Sequence, residues 1–254
     1  MVSPGHLGDI ATMREYIARL HERLDVGNQR YFQALREGSF AREDFVETQV
    51  QFLFAVVFFS RPMAVLAARL PRPELRISVL ENVADEHGNG DLSMSHENTF
   101  LTLLARLGVE ASTIERRVLW PEVRAFNTCL AGVCNLDDTY TGVAVLGIIE
   151  DLFAGISARL GAGIVERGWL EPEQMIHYGL HAELDVAHAD DFFNLLDAPY
   201  ASDARLAYQI EQGLELGAYI FLRMYDGLFE ARKRRLERSF DGPHSFADGW
   251  YLAR

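Results

Sequence analysis

The sequence predicts an all-α protein, and three observations carry that prediction. Val, Ile and Thr do not alternate with polar residues in the period-two pattern that strands require. Apolar residues instead return at helical spacing. Glycine and proline fall mostly at the boundaries between these stretches.

The first helix is expected over 10–24 and a second, short one over 29–36, stopping at Gly38. A third covers 43–68 and contains Pro62, which removes a backbone bond and predicts a kink near Ser60 and Arg61. Pro71 and Pro73 mark the next turn. Residues 74–107 then read as a long helical region ending at Gly108. Gly88-Asn89-Gly90 interrupts it, each glycine weakening a helix by roughly 1 kcal/mol against alanine. A break or mobile turn is expected there. Further helices are predicted at 113–117, 121–134, 138–161 and 171–197, with Pro172 in a first turn. Asp203 caps a final helix over 204–238. The tail 241–254, with Gly242, Pro243 and Gly249, reads as irregular.

No repeat, low-complexity linker or domain boundary divides the 254 residues, so a single domain over 1–254 is expected. Hydrophobic residues make up 49% and charged residues 24%, as in soluble globular proteins. A net charge of −13 argues against a nucleic-acid partner. The run Arg232-Lys233-Arg234-Arg235 sits near the end of a predicted helix, where cations suit the dipole. Cys129 and Cys134 form no disulfide framework, which points to a reducing cytoplasm. The start, Met1-Val-Ser-Pro-Gly, lacks a signal-peptide pattern, and the longest apolar stretch, 52–59, is too short to span a bilayer. No membrane partner is expected.

The chemistry concentrates in His181-Ala-Glu-Leu-Asp185-Val-Ala-His188. On a helix, steps of four and then three residues return side chains to one face, so His181, Asp185 and His188 share a stripe. Two imidazoles and a carboxylate at that spacing can hold a first-row transition metal. His177 lies one turn earlier on the same face. Glu150 interrupts the apolar run 143–149, so a charged partner or a metal would serve it if that stretch is buried. A third set is Asp85, Glu86, His87 and His96. Eleven residues place Asp85 about 20° from the face of His96 in an ideal helix, and ten place Glu86 about 80° away. Periodicity favours Asp85, but the glycines undo the ideal-helix assumption, and both acids stay open on this ground.

The pattern Glu-Asn-x-x-Asp-Glu-x-Gly-x-Gly followed by His, then a mid-chain Glu, then His-x-x-x-Asp-x-x-His, resembles the haem-oxygenase-like diiron oxidases over residues 31–193. The resemblance implies a haem-oxygenase-like bundle of about seven core helices. It implies two Fe(II) ions held by Glu86, His96, Glu150, His181, Asp185 and His188, and selects Glu86 over Asp85. It implies an O2-dependent oxidoreductase that oxidises a small amino acid, amine or carboxylate by N-oxygenation, desaturation or C–C cleavage, in specialised-metabolite biosynthesis. A reductant or redox partner would complete the turnover, and a homodimer is left open. One departure stands out. Some members carry a further glutamate on the helix matching the third one here, and the register puts Ser60 there.

An aromatic wall of Phe52, Phe59, Phe153 and Tyr219 is expected beside the metals, with Arg61 binding a substrate carboxylate through its fork of donors. The competing readings are a cofactor-free quinone-synthase-like oxidase, a thiaminase-like enzyme with Cys134 as nucleophile, and a non-enzymatic helical metal-binding or interaction protein.

Overall fold

The computed structural model describes residues 12–240, without the side chains of residues 180–184. Among the described residues there are ten α-helices and no strand beyond one isolated bridge. In order they are α1 Met13–Leu24, α2 Arg30–Arg36, α3 Arg42–Arg69, α4 Pro73–Glu86, α5 His96–Arg106, α6 Ala111–Ile114, α7 Pro121–Leu136, α8 Thr139–Glu166, α9 Ile176–Ser202 and α10 Ala204–Ala231.

Local chemistry starts most of them. Thr12 and Glu15 form a reciprocal capping box on α1. Ser95, Asp138 and Asp203 cap α5, α8 and α10 by accepting backbone N–H groups. Pro73 and Pro121 occupy the first turns of α4 and α7, where the missing N–H costs nothing.

α3 runs as one 28-residue helix with Pro62 inside it. Two expectations need correction. α9 begins at Ile176, because Pro172–Gln174 closes a separate 3-10 turn in which Gln174 donates back to Glu171 and Met175 leaves helical geometry. α10 ends at Ala231, because the following segment pairs with another one. Val118 N donates to Leu236 O at 3.0 Å and Arg238 N to Arg116 O at 2.7 Å. The arginines of that run serve as side-chain anchors: Arg234 pairs with Glu122 and Arg235 with Asp44.

α8 is the central rod. Its residues from Thr141 to Glu150 are all buried, and α9 and α10 pack along it. The α8–α9 approach depends on Gly147, where a Cβ would stand 2.9 Å from the Cβ of Phe192. α3 lies on the other side of the core, sending Phe45, Phe52, Leu53, Phe54 and Met63 inward. By length and composition alone α3 could cross a membrane, unlike the eight-residue run within it. Most of its apolar window is buried inside the protein, as in a core helix.

Candidate metal centre

α8 and α9 supply the deepest part of the site. Glu150, Asp185 and His188 are 3%, 0% and 4% exposed. Each offers a ligand atom, and those atoms lie within 4.8 Å of one another. Glu150 sits in the most apolar part of the chain, and its Oε1 has no hydrogen-bond partner. The Nδ1 of His188 is likewise buried without one, 3.9 Å from Asp185 Oδ1. Two acids and an imidazole held this close in a dry interior are costly unless a cation joins them.

α4 and α5 supply a second group. α4 stops at Glu86, and the chain turns through Gly88-Asn89-Gly90 and a second 3-10 turn, Leu92–Met94, before α5 begins at His96. Gly88 has φ +68°, and a Cβ there would meet Ser95 N at 2.8 Å. The break expected at this turn is therefore present, and it sends the two acids in different directions. Glu86 is swung inward, and His96 Nδ1 donates to its Oε2 at 2.7 Å, both residues being buried. Asp85 points elsewhere and accepts from His188 Nε2 at 3.1 Å. His87 turns back to the Val83 carbonyl and is exposed. Of the six residues expected as ligands, five therefore gather in one interior region. The side chain of His181 lies outside the described residues.

Electrostatics tie the two groups together. Burial pushes the Glu150 carboxyl well above its ordinary range, and the charges of Asp185 and Glu86 add to this. Burial, joined by Glu86, takes Asp185 up to about 8 against the opposing pull of His96 and His188. For His96, burial disfavours the charged ring, but Glu86, Asp185 and Asp85 outweigh it and the net shift is upward. A cation bound among these groups would offset the crowding of their charges. The donor set of hard carboxylates and imidazoles, with unpartnered Glu150 Oε1 and His188 Nδ1, fits iron.

A cavity of about 40 Å³ borders both groups, touching Glu86, His96 and Glu150. Phe52, Phe59 and Phe153 wall it as expected from the sequence, together with Phe126 and Phe221. Tyr219 does not. It is 61% exposed on the outer side of α10, and Phe221 takes the inward position because it shares a helical stripe with Leu214, Ala218 and Tyr225. Arg61 is not among the lining residues either. It lies two positions beyond the inward-facing Phe59, on another side of α3, and its charge acts on Glu97 of α5. Ser60 is buried on α3 but does not line the cavity.

Two buried polar residues were not assigned by sequence reasoning, His177 at the cavity and Asn82 on α4. His177, fully buried, lines the cavity, packs edge-on to Phe100 with centroids 4.6 Å apart, and is joined through Nδ1 to Thr99 Oγ1 at 3.0 Å. Its place one turn before His181 was the available signal. Asn82, one turn before Glu86, is 1% exposed, and neither its Nδ2 nor its Oδ1 has a partner. Cys134, by contrast, is fully buried on α7 away from the cavity lining, and burial pushes its thiol up to about 12. A nucleophilic thiol needs the opposite shift.

The profile of a family described as iron-containing redox enzyme matches residues 46–220. No curated protein matches the chain in sequence. Among solved structures, a domain of unknown function with a haem-oxygenase-like fold from Shewanella denitrificans OS217 superposes with a TM-score of 0.71 at 13% identity, covering 89% of this chain and 94% of its own. A TenA homologue from P. horikoshii OT3 gives 0.68 at 12% identity, covering 86% and 99%. A TenA family transcription regulator from Silicibacter sp. TM1040 gives 0.66 at 14%, covering 85% and 96%. At these identities the structural matches establish the fold, and the family profile establishes the kinship. The chain belongs to the iron-containing redox enzymes, built on the haem-oxygenase-like fold.

Proposed function

We propose that the protein is an O2-dependent non-haem diiron oxidoreductase acting on a small molecule. The observation that carries this reading is the meeting of Glu150, Asp185 and His188 with the Glu86–His96 pair beside one aromatic cavity. Glu86, His96, Glu150, His181, Asp185 and His188 would hold two Fe(II) ions. Bound ferrous ions supply the electrons that reduce dioxygen, and an external reductant restores them.

The chain's own groups have distinct tasks. Burial raises the carboxyls of Glu150 and Asp185, so a cation arriving there would displace protons from them and loading would strengthen as pH rises. The phenylalanine wall excludes water and leaves room for a few water-sized groups or a small apolar body. The described polar groups in the lining are two carboxyls and two imidazoles, with no arginine or lysine. That favours a substrate presenting an amine or another hydrogen-bond donor over one anchored by a free carboxylate. His177, held by Thr99, is the polar contact on the wall toward the start of α9.

The test uses protein purified without oxygen. About two irons per chain are expected. A panel of small amines, amino acids and carboxylates should contain members that accelerate oxygen uptake by the Fe(II)-loaded protein. Iron-free preparations that consume oxygen equally fast with substrate would overturn the reading.

A further inference from the structure

The two neighbouring acids at the end of α4 do different things, and one of them is unassigned by the ligand set. Glu86 faces His96 inside the site. Asp85, some 100° round the helix, reaches sideways. Its Oδ2 accepts from His188 Nε2 at 3.1 Å, and its Oδ1 accepts from Asn89 Nδ2. Asn89 can make that contact because it sits in the left-handed region, φ 51° and ψ 32°, between two glycines. Its side chain thereby folds back over the last turn of α4. Asparagine is among the few residues that tolerate this backbone.

The consequence falls on the imidazole of His188. A neutral ring has one N–H and one lone pair. With Nε2 donating to Asp85, the lone pair belongs to Nδ1. Nδ1 is the buried, unpartnered atom on the side of Asp185. The two ring nitrogens point in different directions, so Asp85, engaged at Nε2, is not placed to share an ion bound at Nδ1.

We propose that Asp85 is a positioning residue, and that with Asn89 it forms an outer relay that fixes the tautomer and orientation of His188 so that Nδ1 is the metal-binding atom. This rests on the diiron reading and adds to it a use for the Gly-Asn-Gly turn. The turn joins α4 to α5, and it also braces a ligand on α9. Carboxylates that hold a metal-binding histidine from behind act in this way, and losing one weakens metal binding 10–100-fold as an order of magnitude.

The test compares Asp85→Ala, Asp85→Asn, Asn89→Ala and His188→Ala with the unmodified protein. Each is titrated with Fe(II) under nitrogen, and 15N-histidine NMR of the metal-free proteins reads the tautomer of His188. Asp85→Ala should bind iron about 10–100-fold more weakly and lose the Nε2–H preference. Asp85→Asn, which keeps an acceptor, should recover part of both. Asn89→Ala should show a smaller loss than Asp85→Ala. Circular dichroism checks that each variant is folded; should Asp85→Ala fail to fold, the isosteric Asp85→Asn carries the comparison by its weakened binding. Unchanged affinity and tautomer in the Asp85 variants overturn the relay. His188→Ala separates the two levels. If it loads iron like the unmodified protein, His188 is no ligand and the relay has nothing to position; if it loses iron while the Asp85 variants do not, only the relay fails; an unmodified protein that takes up no iron overturns the diiron reading itself.

Discussion

The two sides of the centre are built by different means. Glu150, Asp185 and His188 stand in the middle of the 28- and 27-residue helices α8 and α9, pressed together at Gly147. Glu86 and His96 stand at the end of one helix and the start of another, joined by a turn that needs Gly88 at φ +68°. The first side is fixed by the packing of the core, where many contacts would have to be lost before a ligand moved. The second is fixed by a handful of turn hydrogen bonds, and segments of that kind open at lower free energy. A binding site with one rigid and one adjustable side can admit its ions through the adjustable one.

Substitution of the rigid side should have the largest effect. Glu150→Ala or His188→Ala should abolish iron loading at one or both positions, read by metal analysis after anaerobic reconstitution. Unchanged iron content would remove that residue from the ligand set.

The next effect is on pH dependence. Burial pushes Asp185 up to about 8, far above the ordinary carboxylate range, and raises Glu150 too. The folded state therefore binds more protons than the unfolded one between roughly pH 4 and 8, and stability falls as pH rises through that window. The raised His96 acts in the same sense, its stabilising charge being lost as pH climbs. The Tm of the metal-free protein should drop from pH 5 to pH 8, and Fe(II) should restore it at the upper end. A metal-free Tm that climbs over this range would contradict the buried acid cluster.

On the adjustable side, two glycines sharpen the contrast. Gly88→Ala meets both a positive φ and backbone atoms within 3 Å, so a loss of about 1–3 kcal/mol is expected, with weaker iron binding. Gly90→Ala has a positive φ but open space around it, and should cost about 1 kcal/mol. Chemical denaturation of both variants checks the order, and equal losses would show that crowding at Ser95 does not matter. A smaller effect should appear in hydrogen exchange, with amides of residues 85–95 slowing when Fe(II) is added while those of α8 barely change. Identical protection with and without metal would mean that this side is as rigid as the other.

The same contrast explains what was legible in the sequence. Glu150 could be found because it is a lone acid at the end of an apolar run, and Asp185 and His188 because a regular helix preserves their spacing; the side chain of His181 lies outside the described residues. Asp85 and Glu86 could not be told apart by spacing, since the ten residues before His96 contain two 3-10 turns in which helical phase has no meaning. Tyr219 was expected at the wall where Phe221 stands, although the stripe through Leu214, Ala218 and Tyr225 marks Phe221 as the inward residue. Arg61 was expected at the substrate, but it is not among the residues that line the cavity. The end of α10 depended on a pairing with residues 116–118, more than a hundred positions away, which no local pattern announces.

The most direct test of the account is diffraction at the iron absorption edge from crystals soaked with Fe(II) under nitrogen. The account predicts two anomalous peaks, one among Glu150, Asp185 and His188 and the other beside Glu86 and His96. Peaks elsewhere, or none at full soaking, would contradict it.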